Sequence, residues 1–153
     1  MCIRDRPITK LTTEIIKSNY VTNEKENLVV SFDQIKKNIL SKSFNVIDAR
    51  SLERFEGKVS EPRKGLRSGH IQNSFCLPFN QCINQKTGEF KNLEELRELF
   101  NQNENIEKRL DQVFTCGSGV TAAVLAYAYK MVNNDYIPKI YDGSWSEYGK
   151  YPA

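Results

Sequence analysis

Short β-prone runs alternate with helix-forming runs along this chain, and that alternation limits the possible fold more than any other feature. Phe44-Asn45-Val46-Ile47 and Ser74-Phe75-Cys76-Leu77 read as buried strands, the first ending at Asp48-Ala49-Arg50 and the second stopped by Pro78. Gln112-Val113-Phe114-Thr115 reads as a third strand. It precedes an Ala-rich, nearly all-apolar helix from about Val120 to Met131, and a further strand falls near Ile137 to Tyr141. Two helix starts carry capping boxes. Ser31 with Gln34 opens a helix whose apolar face is Phe32, Ile35, Ile39 and Leu40, and Asn92 with Glu95 opens one striped by Leu93, Leu96, Leu99 and Phe100. Strand and helix in turn predict an α/β fold of three layers, α/β/α, with a mainly parallel central sheet. In such folds, sites form at the carboxyl ends of the strands.

The 153 residues suffice for one ordinary domain, so all functional groups are expected on one core. Residues 1–7, beginning Met1-Cys2-Ile3-Arg4-Asp5-Arg6, lack periodicity and read as an artefactual leader. Residues 8–30 are polar and irregular and read as a linker, so the domain is expected over 31–153. No apolar run is long enough to span a bilayer and no secretory signal is visible, which gives a cytoplasmic expectation and no membrane partner. A net charge of +3 is too small and scattered to indicate nucleic acid, but it suits a small anionic substrate. Cys2, Cys76, Cys82 and Cys116 form no CxxC pair and have no histidine at metal-ligand spacing, so no metal site is expected.

Cys116 is the exception among the cysteines. It stands where a strand ends and the loop Cys116-Gly117-Ser118-Gly119-Val120-Thr121 turns into a helix, so backbone N–H groups and the positive end of the helix dipole point towards its sulfur. Those donors favour thiolate, the nucleophilic form, and two glycines let the backbone wrap closely around it. The plainer alternative is a small apolar residue at a strand end. A phosphatase loop would need arginine six positions after the cysteine, and that position is Ala122. Papain-like catalysis would need a histidine base; the sole histidine, His70, reads better as a structural group at a loop-to-strand transition. Cys76 in a strand and Cys82 in a polar loop have no visible activating partner. The long, charged stretch from Ser51 to Gly69 is a candidate functional loop.

Several segments, taken in order, resemble the second rhodanese domain of tandem sulfurtransferases. They are Asp48-Ala49-Arg50, Arg54-Phe55-Glu56-Gly57, Glu61-Pro62-Arg63, Gly65, Ser68-Gly69-His70-Ile71, Pro78-Phe79, the Cys116–Thr121 loop, and Tyr141-Asp142-Gly143-Ser144-Trp145. The resemblance covers roughly residues 30 to 153 and implies a rhodanese-like fold. It departs from the family after His70-Ile71, where Gln72-Asn73 replaces the usual Pro-Gly.

The resemblance implies sulfur transfer through a persulfide on Cys116, with no metal or organic cofactor. It implies Arg54 and Arg63 as the binders of a donor carboxylate, and Ser118 as a partner of the substrate carbonyl or departing enolate, a helix N-cap, or both. Gly117, Gly119, Val120 and Thr121 would surround the substrate. Asp48, Arg50, His70 and Trp145 would brace the site, Trp145 as either a pocket wall or core. The neutral Gly117-Ser118 pair is similar to loops of the 3-mercaptopyruvate-using group, whereas thiosulfate-preferring relatives usually carry cations there. The implied partners are a small anionic sulfur donor, a thiol, thioredoxin-like or cyanide acceptor, and an N-terminal rhodanese domain lying upstream of residues 8–30. The alternatives are thiosulfate:cyanide sulfur transfer and a non-enzymatic sulfur-carrier or interaction domain.

Overall fold

The computed structural model describes residues 11, 12, 14, 16–23, 27–102 and 109–152. The leader expected at 1–7 lies outside them, as does part of the expected linker. Four parallel strands form one sheet: β1 (Phe44–Asp48), β2 (Ser74–Cys76), β3 (Asp111–Thr115) and β4 (Lys139–Ile140), in the order β2-β1-β3-β4. Around them lie α1 (Phe32–Ser41), α2 (Leu52–Phe55), α3 (Leu93–Asn101), α4 (Val120–Val132) and α5 (Ser144–Tyr148). The segment expected as linker ends in paired residues: Val30 N–H donates to Ile140 O and Ile140 N–H to Leu28 O, extending the sheet beyond β4.

Successive strand residues point to opposite faces, and each face has its own core. Ile47 and Phe114, partners across β1 and β3, face Leu96 and Phe100 of α3 and Leu125 and Ala128 of α4. Val46 and Val113, the preceding pair, face Ile35 of α1 and Trp145 of α5. Helices therefore cover both faces, as the expected three layers require.

Both capping boxes form. Asn92 Oδ1 accepts from Glu94 N and Glu95 N while the Glu95 carboxylate accepts from Asn92 N, so α3 starts where its sequence directs. The face of α1 differs from expectation at one position. Leu40 is 89% exposed, while Asn38 is buried because its amide bonds both the N–H and the C=O of Phe44 and so ties α1 to β1. The second strand is half-buried rather than buried, because it forms the sheet edge. Cys82 lies in the connection between β2 and α3 that was expected as a polar loop, at the end of a 3-10 turn, Phe79–Cys82, and is fully buried beside the antiparallel bridge Ile83↔Phe90. At the departure from Pro-Gly, Asn73 takes φ +62, a left-handed conformation that asparagine tolerates better than most residues, and Ser74 N–H closes the turn on Ile71 O.

Candidate active site

Strands β1 and β3 lie side by side, but the chain leaves β1 towards β2 and leaves β3 towards β4. Their carboxyl ends therefore diverge into the crevice that doubly wound sheets use for ligands. Cys116 follows β3 directly, and Ala49-Arg50 follow β1. Arg54 of α2 and Pro62-Arg63 of the Ser51–Gly69 loop close the opposite side. An open cleft of about 340 Å³ results, lined by Arg54, Pro62, Arg63, Cys116, Gly117, Ser118, Val120 and Thr121.

The loop's geometry activates the sulfur. Gly119 is the N-cap of α4 at φ +81 and supplies no capping side chain. A Cβ there would stand 2.7 Å from Asp142 Oδ1, so both the conformation and the space demand glycine. Helix N-caps normally accept from the second and third helical amides, here Thr121 and Ala122. The Cys116 sulfur accepts from Ser118 N–H at 3.4 Å, and the Thr121 hydroxyl with the Thr121 and Ala122 amides also acts to lower its pKa. Burial pushes the thiol pKa up, but these four hydrogen bonds outweigh it and leave Cys116 below its ordinary value. Ser118 itself does not cap α4, because Gly119 holds that position.

The other two described cysteines are shifted the opposite way. Burial, with Asp48 nearby, raises Cys76 to about 12, and burial raises Cys82 to about 11. At neutral pH, iodoacetamide should modify Cys116 well before either of them. Its rate should rise with pH to a midpoint below that of an ordinary thiol. Peptide mapping after timed alkylation checks the order; Cys76 or Cys82 reacting first would reject this electrostatic picture.

The arginines are held by carboxylates behind the cleft. Arg50 is wholly buried and donates from Nε and Nη2 to Asp48, from Nη1 to Glu61 Oε1 at 2.8 Å, and from Nη2 to Gly69 O. Glu61, its side chain 1% exposed, also binds Arg54 at both oxygens, Oε1 at 3.2 Å and Oε2 at 2.6 Å. Two carboxylates thus offset two guanidiniums. Arg63 is different: its Nη1 donates to neutral acceptors, Ser146 Oγ at 3.0 Å and Gly117 O at 3.4 Å. A Cβ on Gly117 would lie 3.1 Å from Arg54 Nη2, so the small residue at 117 leaves room for that guanidinium over the loop.

Arg54, Arg63, Cys116, Gly117, Ser118, Val120 and Thr121 therefore meet at one cleft, with Gly119 buried beneath it and Asp48 and Arg50 behind. His70 and Trp145 stand apart from the cleft lining. His70 stacks on Phe55, centroids 4.0 Å apart, with Nδ1 2.8 Å from Phe55 O. Trp145 is 1% exposed, lies under the Arg50 guanidinium at 4.4 Å, and donates from Nε1 to Arg67 O, so it is core and not pocket wall. Glu61 and Ser144 stand in segments that carry the family resemblance, but the sequence assigns them no role, and Ser146 lies outside those segments. An acid in a charged loop looks solvated, and nothing local marks the contacts of the two serines.

Residues 31–151 match the family described as the rhodanese-like domain. The chain belongs to that family. This rhodanese-like domain is 41% identical over 133 residues to thiosulfate/3-mercaptopyruvate sulfurtransferase 1, mitochondrial, of Arabidopsis thaliana, a match covering 87% of the chain and 34% of the relative. It is 39% identical over 120 residues to human 3-mercaptopyruvate sulfurtransferase, covering 78% of the chain and 39% of the relative. Among solved structures, SseA from Escherichia coli, described for the rhodanese fold of 3-mercaptopyruvate sulfotransferases, superposes with a TM-score of 0.68 at 30% identity. That match covers 88% of this domain and 48% of SseA. The domain thus spans well under half the length of the Arabidopsis and human relatives and about half of SseA. Among its described residues, no helix is long and apolar enough to cross a membrane.

Proposed function

We propose that this domain carries out sulfur transfer through a persulfide on Cys116, with 3-mercaptopyruvate as donor. The observation that supports it best is the sulfur of Cys116, stabilised by four donors, at the base of a cleft walled by Arg54 and Arg63. The Cys116 thiolate attacks the donor's sulfur and the carbon–sulfur bond breaks. Its electron pair leaves with carbon as pyruvate enolate, which takes a proton to give pyruvate, and Cys116 keeps the outer sulfur. An acceptor thiolate or cyanide then attacks that sulfur, the sulfur–sulfur bond breaks, and the Cys116 thiolate returns. The loop amides and the Thr121 hydroxyl stabilise the sulfur anion at both ends of the cycle, and Ser118 serves the developing enolate oxygen.

Charge supports the choice of donor. With Asp48, Arg50, Glu61 and Arg54 balanced, Arg63 is the cation in the cleft lining that is bonded to neutral groups. One such cation suits the single carboxylate of mercaptopyruvate better than the dianion of thiosulfate. Arg63→Met should raise KM for mercaptopyruvate about 10- to 100-fold, corresponding to a charged hydrogen bond of about 1.5–3 kcal/mol, and should lower kcat much less. Steady-state kinetics that show kcat falling with KM unchanged would remove Arg63 from ground-state binding.

The thiosulfate reading is kept because the Arabidopsis relative is named for both donors. Comparing kcat/KM for the two donors decides between them, and a clear preference for thiosulfate overturns mercaptopyruvate as the donor.

A further inference from the structure

The amides of the cysteine loop divide into two sets. Ser118 N–H donates to Cys116 Sγ at 3.4 Å, and the Thr121 and Ala122 amides act on the same sulfur to favour its anion. Those of Cys116 and Gly119 turn outward to one atom, Ser144 Oγ, at 3.2 and 3.0 Å. The same hydroxyl donates to Tyr141 O at 2.8 Å. A serine hydroxyl offers one donor and two acceptor lone pairs; the two amides and the Tyr141 carbonyl make its three shortest contacts, with Thr115 Oγ1 farther away at 3.3 Å. Ser144 is 0% exposed and takes φ +50, in the left-handed region that a non-glycine residue adopts at some cost. That turn swings its side chain beneath the loop. The next two amides complete the grip, Trp145 N–H donating to Cys116 O and Ser146 N–H to Gly117 O, each at 2.9 Å.

We propose that Ser144 is the positioning residue of the cysteine loop, its Oγ holding the Cys116 and Gly119 amides outward so that the other loop donors converge on the sulfur. Ser144 does not touch the cleft, so it acts only through the loop. Without its oxygen, two buried N–H groups lose their acceptor. The loop then relaxes to satisfy them, either by drawing in water or by turning those amides elsewhere, and either change loosens the inner set. The inference concerns the thiolate itself. It deepens the sulfur-transfer reading, but its alkylation readout is independent of any sulfur donor.

The test compares Ser144→Ala and Ser144→Gly with the unsubstituted chain. The glycine variant accepts φ +50 freely, so it removes the hydroxyl while relieving the backbone. Alkylation of Cys116 by iodoacetamide is followed against pH, with Leu96→Ala, a core substitution on α3 that removes none of the loop's hydrogen bonds, as a control for lost stability. Both Ser144 variants should shift the midpoint upward and cut the rate at neutral pH about tenfold, the change in thiolate fraction for one pKa unit, while Leu96→Ala leaves the midpoint in place. Unshifted midpoints in the Ser144 variants, or an equal shift in Leu96→Ala, overturn the proposal. Amide exchange on the unsubstituted chain gives a second measure: the Cys116 and Gly119 amides should be protected, and rapid exchange at both overturns it. If the Ser144 shift holds while the unsubstituted chain accepts no sulfur from mercaptopyruvate or thiosulfate, the sulfur-transfer reading fails and Ser144 positioning stands.

Discussion

Cys116→Ser should abolish sulfur uptake completely while leaving the domain folded. The serine oxygen is a far weaker nucleophile at neutral pH and forms no persulfide, so nothing in the cleft replaces the lost chemistry. The fold should tolerate the change for a specific reason. Cys116 Sγ fills the acceptor role that Gly119 leaves vacant at the start of α4. A serine hydroxyl is itself a favoured helix capping group, able to accept from the same Thr121 and Ala122 amides. Thermal denaturation should therefore change little. Intact-mass analysis after incubation with mercaptopyruvate should show one added sulfur on the unsubstituted chain and none on the variant. Undiminished addition to Cys116→Ser would assign the sulfur to another cysteine and refute the mechanism.

The largest loss of stability is expected from Arg50→Met. Arg50 stands between Asp48 and Glu61, with its guanidinium against Trp145, and the Arg50, Asp48 and Glu61 side chains are each at most 1% exposed. Methionine keeps most of the volume but leaves two buried carboxylates with one fewer cation between them. Removing one member of a buried ion pair typically costs about 3–5 kcal/mol, because the remaining charge stays desolvated. For a domain of this size that lowers Tm by about 10 °C or more. Arg54 should suffer as well, since Glu61 is the group that fixes its fork, and sulfur uptake should slow even where the variant is folded. Denaturant unfolding checks the size of the effect. A loss under about 1 kcal/mol would mean that water or neighbouring groups compensate Asp48 and Glu61.

Local signals in the sequence proved readable where a few neighbouring residues decide the outcome. Asn92 and Glu95 cap α3 as their spacing predicts, and the β1 and β3 runs become the paired centre of the sheet. The cysteine loop was equally legible, because a strand, two glycines and a helix start define its donors. Leu40 was misplaced because hydrophobicity was counted without Asn38, whose amide finds both backbone groups of Phe44 and so takes the buried position. The burial of Cys82 is not legible, because the bridge between Ile83 and Phe90 that folds its loop back follows no local period. The deeper omissions depend on the folded geometry. Glu61 acquires its role from Arg50 and Arg54, 11 and 7 positions earlier in one irregular stretch, whereas Ser144 acquires its role from amides 28 and 25 positions earlier in the chain. Contacts of that separation follow from topology, from β1 and β3 lying adjacent and α5 folding back under the loop. A single sequence read segment by segment does not supply them.

The central claim is that Cys116 receives sulfur, and one measurement addresses it directly. This chain, freshly reduced, is exposed to a stoichiometric amount of 3-mercaptopyruvate without acceptor, then analysed by intact mass and peptide mapping, with pyruvate measured in the same sample. The account predicts one sulfur atom on the peptide containing Cys116 and one pyruvate released per sulfur bound. A folded chain that gains no sulfur and releases no pyruvate, with either mercaptopyruvate or thiosulfate as donor, would contradict it.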